Sequence, residues 1–273
     1  MLLDERLEEI LLYANMLVET AIEQDSVASM GKLCNDISKY YRALGICGVL
    51  LNADTDVFFH GLIQSALTRK YYLNRCVEEN VLNNPARKAS FVGPFLDAIA
   101  ANQFRLAVKI ASLSPDRWWK GYEYEEDFTY AYFLHKFVYF NDINLGDLRI
   151  IFDSFENLLE EQSSERLEIC RAFLYSDQAQ FEEAFSNLLD SHEKNMEEIA
   201  DPNLDSILAQ EYTFEPNRWI FVEGLAILRI AERLGFQTEK EYKYCPSIAR
   251  LSDFRPFISD SFPYLAWETE YYH

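Results

Sequence analysis

The stretch Leu3–Ala21, LDERLEEILLYANMLVETA, decides the fold class because its apolar residues return at the spacing of an α-helix. They are adjacent or three to four positions apart, which places them on one stripe and leaves the acidic residues on the opposite side. The stripe consists of Leu3, Leu7, Ile10, Leu11, Ala14, Leu17, Val18 and Ala21. The pattern predicts an amphipathic helix that packs this stripe against the rest of the protein.

The same period continues through most of the 273 residues and predicts further helices. Only 9 Gly and 8 Pro interrupt the chain, whereas sandwiches and barrels need a turn signal about every 8–12 residues. The composition therefore also favours long helices. Asp25 or Ser26 is predicted to cap a helix that runs to about Gly45, and Asp54 or Thr55 is predicted to cap the next helix. Later helices are predicted over residues 91–101, 103–113, 128–140, 145–161, 165–175, 178–199 and 216–234.

The helix that begins at Pro216 carries apolar residues on nearly all sides, which is typical of a buried central helix, and Gly235 is placed to end it. Beyond Cys245, prolines and aromatic residues predict an irregular C-terminal tail that packs on the body of the protein. The residues of this tail are Pro246, Phe254, Pro256, Phe257, Phe262, Pro263, Tyr264 and Trp267. We therefore expect an all-α fold with a single domain over residues 1–273, arranged as a multi-helix bundle or a short α-solenoid-like array.

One short motif occurs twice. Residues 103–107 and 180–184 share the pattern Q-F-x-x-A, each at the start of the second helix of a predicted tight pair. Stacked helix-pair repeats produce such echoes, and so do unrelated helical hairpins with similar cores. The sequence leaves both interpretations open.

The overall composition bounds the possible partners. Forty-five acidic and 25 basic residues give a formal net charge of −20, which repels nucleic acid and anionic lipid and is complementary to a basic protein. The longest segments without a charged residue, 43–53 and 57–68, are shorter than the roughly 18 apolar residues of a membrane span. The five cysteines are scattered without a C-x-x-C pair, and the acidic residues after Met1 do not resemble a secretory signal. These features predict a cytoplasmic protein that binds neither nucleic acid nor membrane.

The negative charge is concentrated in one region of the sequence. Residues 123–215 hold 23 acidic and 5 basic residues, a net −18, whereas the flanking segments are nearly balanced. Such a region is either a solvated face or a docking surface for a cationic partner. The candidate partner-binding residues are Glu123, Glu125, Glu126, Asp127, Glu156, Glu160, Glu161, Glu182, Glu183, Asp190, Glu193 and Glu197.

Motifs for catalysis or cofactor binding are absent from the sequence. It contains no G-x-G-x-x-G, no G-x-x-x-x-G-K-[ST] and no G-x-S-x-G. The segment from His192 begins like the zinc motif H-E-x-x-H, but Met196 stands where the second histidine belongs, so His192 is interpreted as a surface or cap residue. We expect no catalytic residues, no metal site and no cofactor.

The segment Arg117–Lys120, RWWK, combines cations with aromatic rings, as do sites that grip single-stranded nucleic acid. The acidic residues at 123–127 follow at once and disfavour that use. We expect instead that a buried tryptophan anchors this loop.

The stretch Trp219–Gly235, followed by Tyr244–Pro246 and Ala249–Arg250, resembles the C-terminal signature of the immunity protein 49 family of bacterial polymorphic toxin systems. Residues 181–192 are similar to a helix that precedes this signature. The resemblance implies an all-α cytoplasmic protein that binds and neutralises a toxin delivered by neighbouring cells, and it supplies no catalytic residues. Within the signature, Gly224 is expected to let another helix approach, and Glu223 to need a buried partner such as an arginine.

Three hypotheses follow for the function. The first is an immunity protein whose acidic middle region covers the active site of a basic toxin, for example a nuclease, whose own substrate surface must be positive. The second is an α-solenoid adaptor that binds peptides in a concave groove. The third is an enzyme with an unfamiliar motif, which a perturbed carboxylate pair in a deep pocket would indicate. The identity of the toxin and the oligomeric state stay open.

Overall fold

The computed structural model describes residues 3–24, 26–140, 144–160, 162 and 164–251, and within them it contains twelve α-helices and no β-strand. The all-α prediction is confirmed. Short 3-10 helices cover Pro85–Arg87 and Ser247–Arg250. The α-helices are α1 Leu3–Ile22, α2 Val27–Asn52, α3 Thr55–Glu78, α4 Gly93–Ala100, α5 Phe104–Leu113, α6 Glu125–Phe137, α7 Leu145–Leu159, α8 Glu165–Tyr175, α9 Gln178–Ala200, α10 Ile207–Gln210, α11 Phe214–Trp219 and α12 Val222–Leu234.

Most helices from α1 to α9 pack chiefly on their neighbours along the chain, while α12 returns to pack on α4 and also contacts α9. One large cluster of buried apolar side chains extends from α2 to the 3-10 helix at Ser247–Arg250. A smaller cluster lies between α1 and α2. As predicted, α12 is buried on most of its surface and ends at Gly235, whose φ of 88° suits glycine.

Helix α2 is longer than predicted because Gly45 is part of the helix and does not end it. A Cβ atom at Gly45 would lie 2.6 Å from the carbonyl oxygen of Phe58, so this glycine allows α3 to pack closely against α2. The helix ends instead at Ala53, whose φ is 54°. The predicted cap of the next helix is confirmed, since the Asp54 carboxylate accepts a hydrogen bond from the Val57 amide at 2.9 Å.

The predicted continuous helix over 216–234 is wrong, because the chain breaks it at Ile220 and Phe221. Ile220 has extended backbone angles, and the Phe221 amide donates to the Tyr244 carbonyl at 2.9 Å. The Tyr244 carbonyl, 23 residues further along the chain, thus takes the place of an acceptor within the helix. Of the predicted tail, Pro246 precedes a 3-10 turn, and Phe254 and the residues after it lie outside the described part of the chain.

Buried polar groups tie separate helices together. The fully buried Asp97 of α4 accepts two hydrogen bonds from Arg42 of α2, at 2.7 and 3.0 Å. Arg69 of α3 is 2 % exposed and donates to the carbonyl oxygens of Arg87 and Lys88, both at 2.9 Å. Each cation is compensated by oxygen acceptors, as buried charges require, and Arg69 fixes the loop that follows α3.

Two buried histidines make the stability depend on pH. Burial lowers the pKa of His60 to about 4 and that of His135 to about 3, so both rings are neutral in the folded protein at pH 7. In the unfolded chain they take up protons below about pH 6.5, so the free energy of unfolding must fall as the pH drops from about 6.5 towards 4.

We expect urea denaturation at pH 5 to show a loss of about 2 kcal/mol per histidine relative to pH 7.5. The variant His60→Gln should lose correspondingly less between the two pH values. Burial raises the pKa of Asp97, which acts in the opposite sense, and the comparison of the two proteins isolates the histidine. A free energy of unfolding that stays constant over this range would contradict the prediction.

Candidate functional site

The twelve predicted partner-binding residues divide into two groups, apart from Glu161, which lies outside the described residues. Five carry contacts within the protein: Glu123, Asp127, Glu156, Glu182 and Glu193. In the described structure, the side chains of the other six form no hydrogen bond or ion pair: Glu125, Glu126, Glu160, Glu183, Asp190 and Glu197.

Glu123 organises the loop between α5 and α6. Its carboxylate accepts hydrogen bonds from the backbone amides of Ser90 at 2.9 Å and Trp119 at 3.1 Å. The Trp118 indole donates to its carbonyl oxygen at 3.0 Å. The expectation that a buried tryptophan anchors this loop is wrong in its burial, because Trp118 and Trp119 are both only half-buried, and the indole hydrogen bond of Trp118 is what links it to the loop.

Asp127 belongs to an ion-pair network that joins α6, α8 and α12. The guanidinium of Arg166 binds both carboxylate oxygens of Glu223 at 2.9 Å and one oxygen of Asp127 at 3.2 Å. The Tyr130 hydroxyl donates to Glu223 at 3.0 Å, and its ring lies 4.8 Å from the guanidinium carbon. Arg166 is thus the arginine expected beside Glu223, and Glu223 raises the pKa of this guanidinium.

Gly224 has a different neighbour from the one expected. A Cβ atom there would lie 2.7 Å from the Cys245 sulfur, so the glycine makes room for the segment after α12 and not for another helix. The Cys245 thiol lies 3.5 Å from the Phe221 carbonyl oxygen and donates to it. The signature Trp219–Gly235 therefore packs against the Tyr244–Pro246 segment that follows it in the sequence.

We expect Glu223→Gln to lower the free energy of unfolding by about 2 kcal/mol, because the half-buried Arg166 loses its two-point partner. Thermal denaturation followed by circular dichroism measures the loss. The control is Glu215→Gln, which removes a longer and more exposed pair with Arg218. Equal melting temperatures for the two variants would mean that the network adds nothing to stability.

One side of α9 carries six carboxylates, and we call this side the α9 acidic face. At 3.6 residues per turn, its carboxylates fall within a sector of about 160° along a helix of about 34 Å. Its residues are Glu182, Glu183, Asp190, Glu193, Glu197 and Glu198. The opposite side is buried through Phe181, Phe185 and Leu188.

Few cations neutralise the α9 acidic face. Lys194 lies within the same sector, and Lys243 pairs with Glu193. The carboxylates of Glu183, Asp190, Glu197 and Glu198 have no partner within the described residues, and all four side chains are exposed. Glu198 was not among the predicted contacts, although a helical wheel of the predicted helix 178–199 already places it beside them.

A cleft of about 500 Å³ lies on the side of α9 away from the α9 acidic face, between α9 and the first turns of α6, α8 and α12. The Ser191 hydroxyl donates to Glu165 at 2.6 Å across it. His192 is half-buried, with its ring stacked on Phe221 at 4.1 Å, so its interpretation as a surface or cap residue is wrong. Burial lowers the pKa of His192, and its Nε2 has no hydrogen-bond partner, so the ring is not placed to activate Ser191.

Neither a metal site nor a helix suited to cross a membrane is found among the described residues. Residues 3–24, 26–140, 144–160, 162 and 164–251 contain no group of three or more histidine, cysteine or acidic side chains arranged to hold a metal ion. None of the helices within these ranges is both long and apolar enough to cross a membrane.

Fold and surface together define the class of this protein: an all-α protein with an acidic helix face. Residues 90–249 match the model of the immunity protein 49 family, which is more than half of the chain, and the chain belongs to this family. The family name indicates an immunity protein, a role that implies a toxin as the partner and suggests no enzymatic activity. No curated protein and no solved structure shows significant similarity to the chain.

Proposed function

We propose that this protein binds and neutralises a cognate toxin with a basic surface, and that the α9 acidic face is the centre of the contact. One observation carries the proposal: six carboxylates share one side of a single helix with one lysine among them. Like charges three or four residues apart on a helix cost a few tenths of a kcal/mol per pair. A cationic partner would relieve this repulsion, so the arrangement favours the complex over the free protein.

The remaining free carboxylates extend the proposed contact. Glu125 and Glu126 begin α6, and Glu160 ends α7. Arg171 of α8 binds Glu156 of α7 and Glu168 of its own helix, so α7 and α8 present one joined polar surface. In the complex, we place the α9 acidic face over the toxin's own anion-binding surface, as in the inhibition of a nuclease by occlusion of its substrate site. The proposal includes a cytoplasmic location and neither nucleic acid nor membrane as a partner.

The test is the association rate of the purified protein with the toxin encoded by the neighbouring gene, carrying a substitution that removes its activity. Long-range attraction should raise this rate by one to three orders of magnitude over an unsteered encounter, and salt should remove most of the gain. We therefore expect the rate at 50 mM NaCl to exceed that at 500 mM by at least tenfold. Equal rates at the two concentrations, or no complex at all, would contradict the proposal.

A further inference from the structure

The loop between α5 and α6 exposes two tyrosines to solvent. Tyr124 is 81 % exposed and Tyr122 is 61 % exposed, more than any other aromatic side chain in the described part of the chain. Tyrosine is enriched among the residues that dominate binding energy in protein interfaces, because it offers a large amphipathic ring at a small entropic cost. Two such rings on one short loop point to a contact surface.

The loop is held in one conformation without a partner. The three hydrogen bonds of Glu123 link Trp118 and Trp119 to the backbone of Ser90. The segment before Ser90 is itself fixed by the buried guanidinium of Arg69, which binds the carbonyl oxygens of residues 86–88. A loop that is ordered in advance loses little conformational entropy on binding.

The two tyrosines border a hollow of about 600 Å³. Both aromatic rings and carboxylates line it, with one ammonium group, that of Lys88. Its other charged and aromatic lining residues are Trp118, Tyr122, Glu123, Tyr124, Glu125 and Asp127. Among these carboxylates, that of Glu125 has no partner in the described structure, whereas Glu123 holds the loop and Asp127 binds Arg166.

We propose that this hollow receives an arginine side chain of the toxin, an inference that rests on the proposed function. A guanidinium stacks on an aromatic ring through its face and binds a carboxylate through its edge, and the hollow offers rings and the free Glu125 carboxylate together. An apolar side chain would leave the Glu125 carboxylate desolvated and unpaired. A phosphate group would meet three negative charges against one positive charge.

The proposed arginine contact should affect a different rate constant from the one that the α9 acidic face affects. Long-range steering acts before the surfaces meet and changes the association rate, whereas a stacked and desolvated ring acts in the formed complex and changes the dissociation rate. We expect Tyr124→Ala to raise the dissociation rate from the inactive toxin at least tenfold, with the association rate and its salt dependence within twofold of the parent. Tyr122→Ala should act in the same direction.

The control is Leu12→Ala, which removes a 59 % exposed apolar side chain of α1, outside the proposed contact, and should leave both rates unchanged. Circular dichroism and thermal denaturation of each variant confirm that the fold is retained. If Tyr124→Ala leaves the dissociation rate unchanged while the association rate of the parent protein depends on salt, the inference is wrong and the proposed function still stands. Loss of salt sensitivity in the parent protein would overturn the proposed function itself.

A double-mutant cycle tests the identity of the occupant. Each surface arginine of the toxin is replaced by alanine and measured against the parent, Tyr124→Ala and Glu125→Gln. Replacement of one of these arginines should raise the dissociation constant of the complex with the parent protein at least tenfold. The same replacement should raise the dissociation constant of the complex with either variant less than threefold. If every arginine substitution has the same effect in all three backgrounds, no arginine occupies the hollow and the inference is wrong.

Discussion

We expect Ile227→Asp to abolish the folded state. Ile227 is fully buried in α12, the helix that returns to α4 and belongs to the large core cluster. An unpaired carboxylate in such a position costs several kcal/mol, and loss of the branched side chain adds a packing cost. Against a total stability of about 5–15 kcal/mol, these terms leave little or no folded protein at 25 °C.

Circular dichroism and size-exclusion chromatography measure this outcome as lost helical signal and as aggregation. Ile227→Val is the conservative control and should cost about 0.5–1.5 kcal/mol. Ile150→Asp is the control for charge, because this α7 side chain is 69 % exposed, and we expect that variant to fold like the parent. A protein with Ile227→Asp that melts at the parent's temperature would show that α12 is not central.

The sequence predicts those parts of the fold that depend on local periodicity. The bounds predicted for α8 agree with the structure, and the start of α9 does so because Asp177 caps it through a hydrogen bond to the Gln180 amide. The predicted start of α6 is three residues late, since Glu125, Glu126 and Asp127 form its first turn. Acidic residues at that end are stabilised by the helix dipole.

Features that depend on distant parts of the chain could not be predicted in the same way. The role of Gly45 depends on its close approach to Phe58 of the next helix, and the break before α12 depends on the hydrogen bond to the Tyr244 carbonyl. Both are tertiary effects that override the local pattern, because close helix packing and long-range hydrogen bonds do not alter hydrophobic spacing. The Arg166 partner of Glu223 is likewise 57 residues away in the sequence.

In the candidate site, too, local features could be predicted from the sequence and contacts between distant residues could not. Helical spacing places the carboxylates of α9 on one face, but it does not reveal which of them are already paired. Lys243, 50 residues away, pairs with Glu193, and Arg171 pairs with Glu156. Tyr122 and Tyr124 follow the segment Arg117–Lys120 closely in the sequence, and only the structure shows that their side chains remain outside the core.

The largest functional effect is expected from reversing the charge of three free carboxylates on the α9 acidic face. The triple variant Glu183→Lys, Asp190→Lys and Glu197→Lys changes exposed side chains that have no partner in the described structure. It should slow association with the inactive toxin at 50 mM NaCl by at least tenfold and reduce the salt dependence that remains. Stability should change little, because exposed substitutions seldom shift it by more than about 0.5 kcal/mol each.

The control carries the same change of net charge elsewhere on the protein. Glu8 and Glu19 of α1, with Glu23 just after it, are exposed, have no side-chain partner in the described structure and lie in the balanced N-terminal part of the sequence. Their replacement by lysine moves the net charge by the same amount as the α9 triple variant, so only position distinguishes the two proteins. If both variants slow association equally, total charge governs the encounter and the α9 acidic face has no special role. If neither does, that face is merely solvated and the toxin contacts another surface. A slower association for the α9 variant alone, with weaker protection of cells that express the active toxin, is the result that the proposed docking face requires.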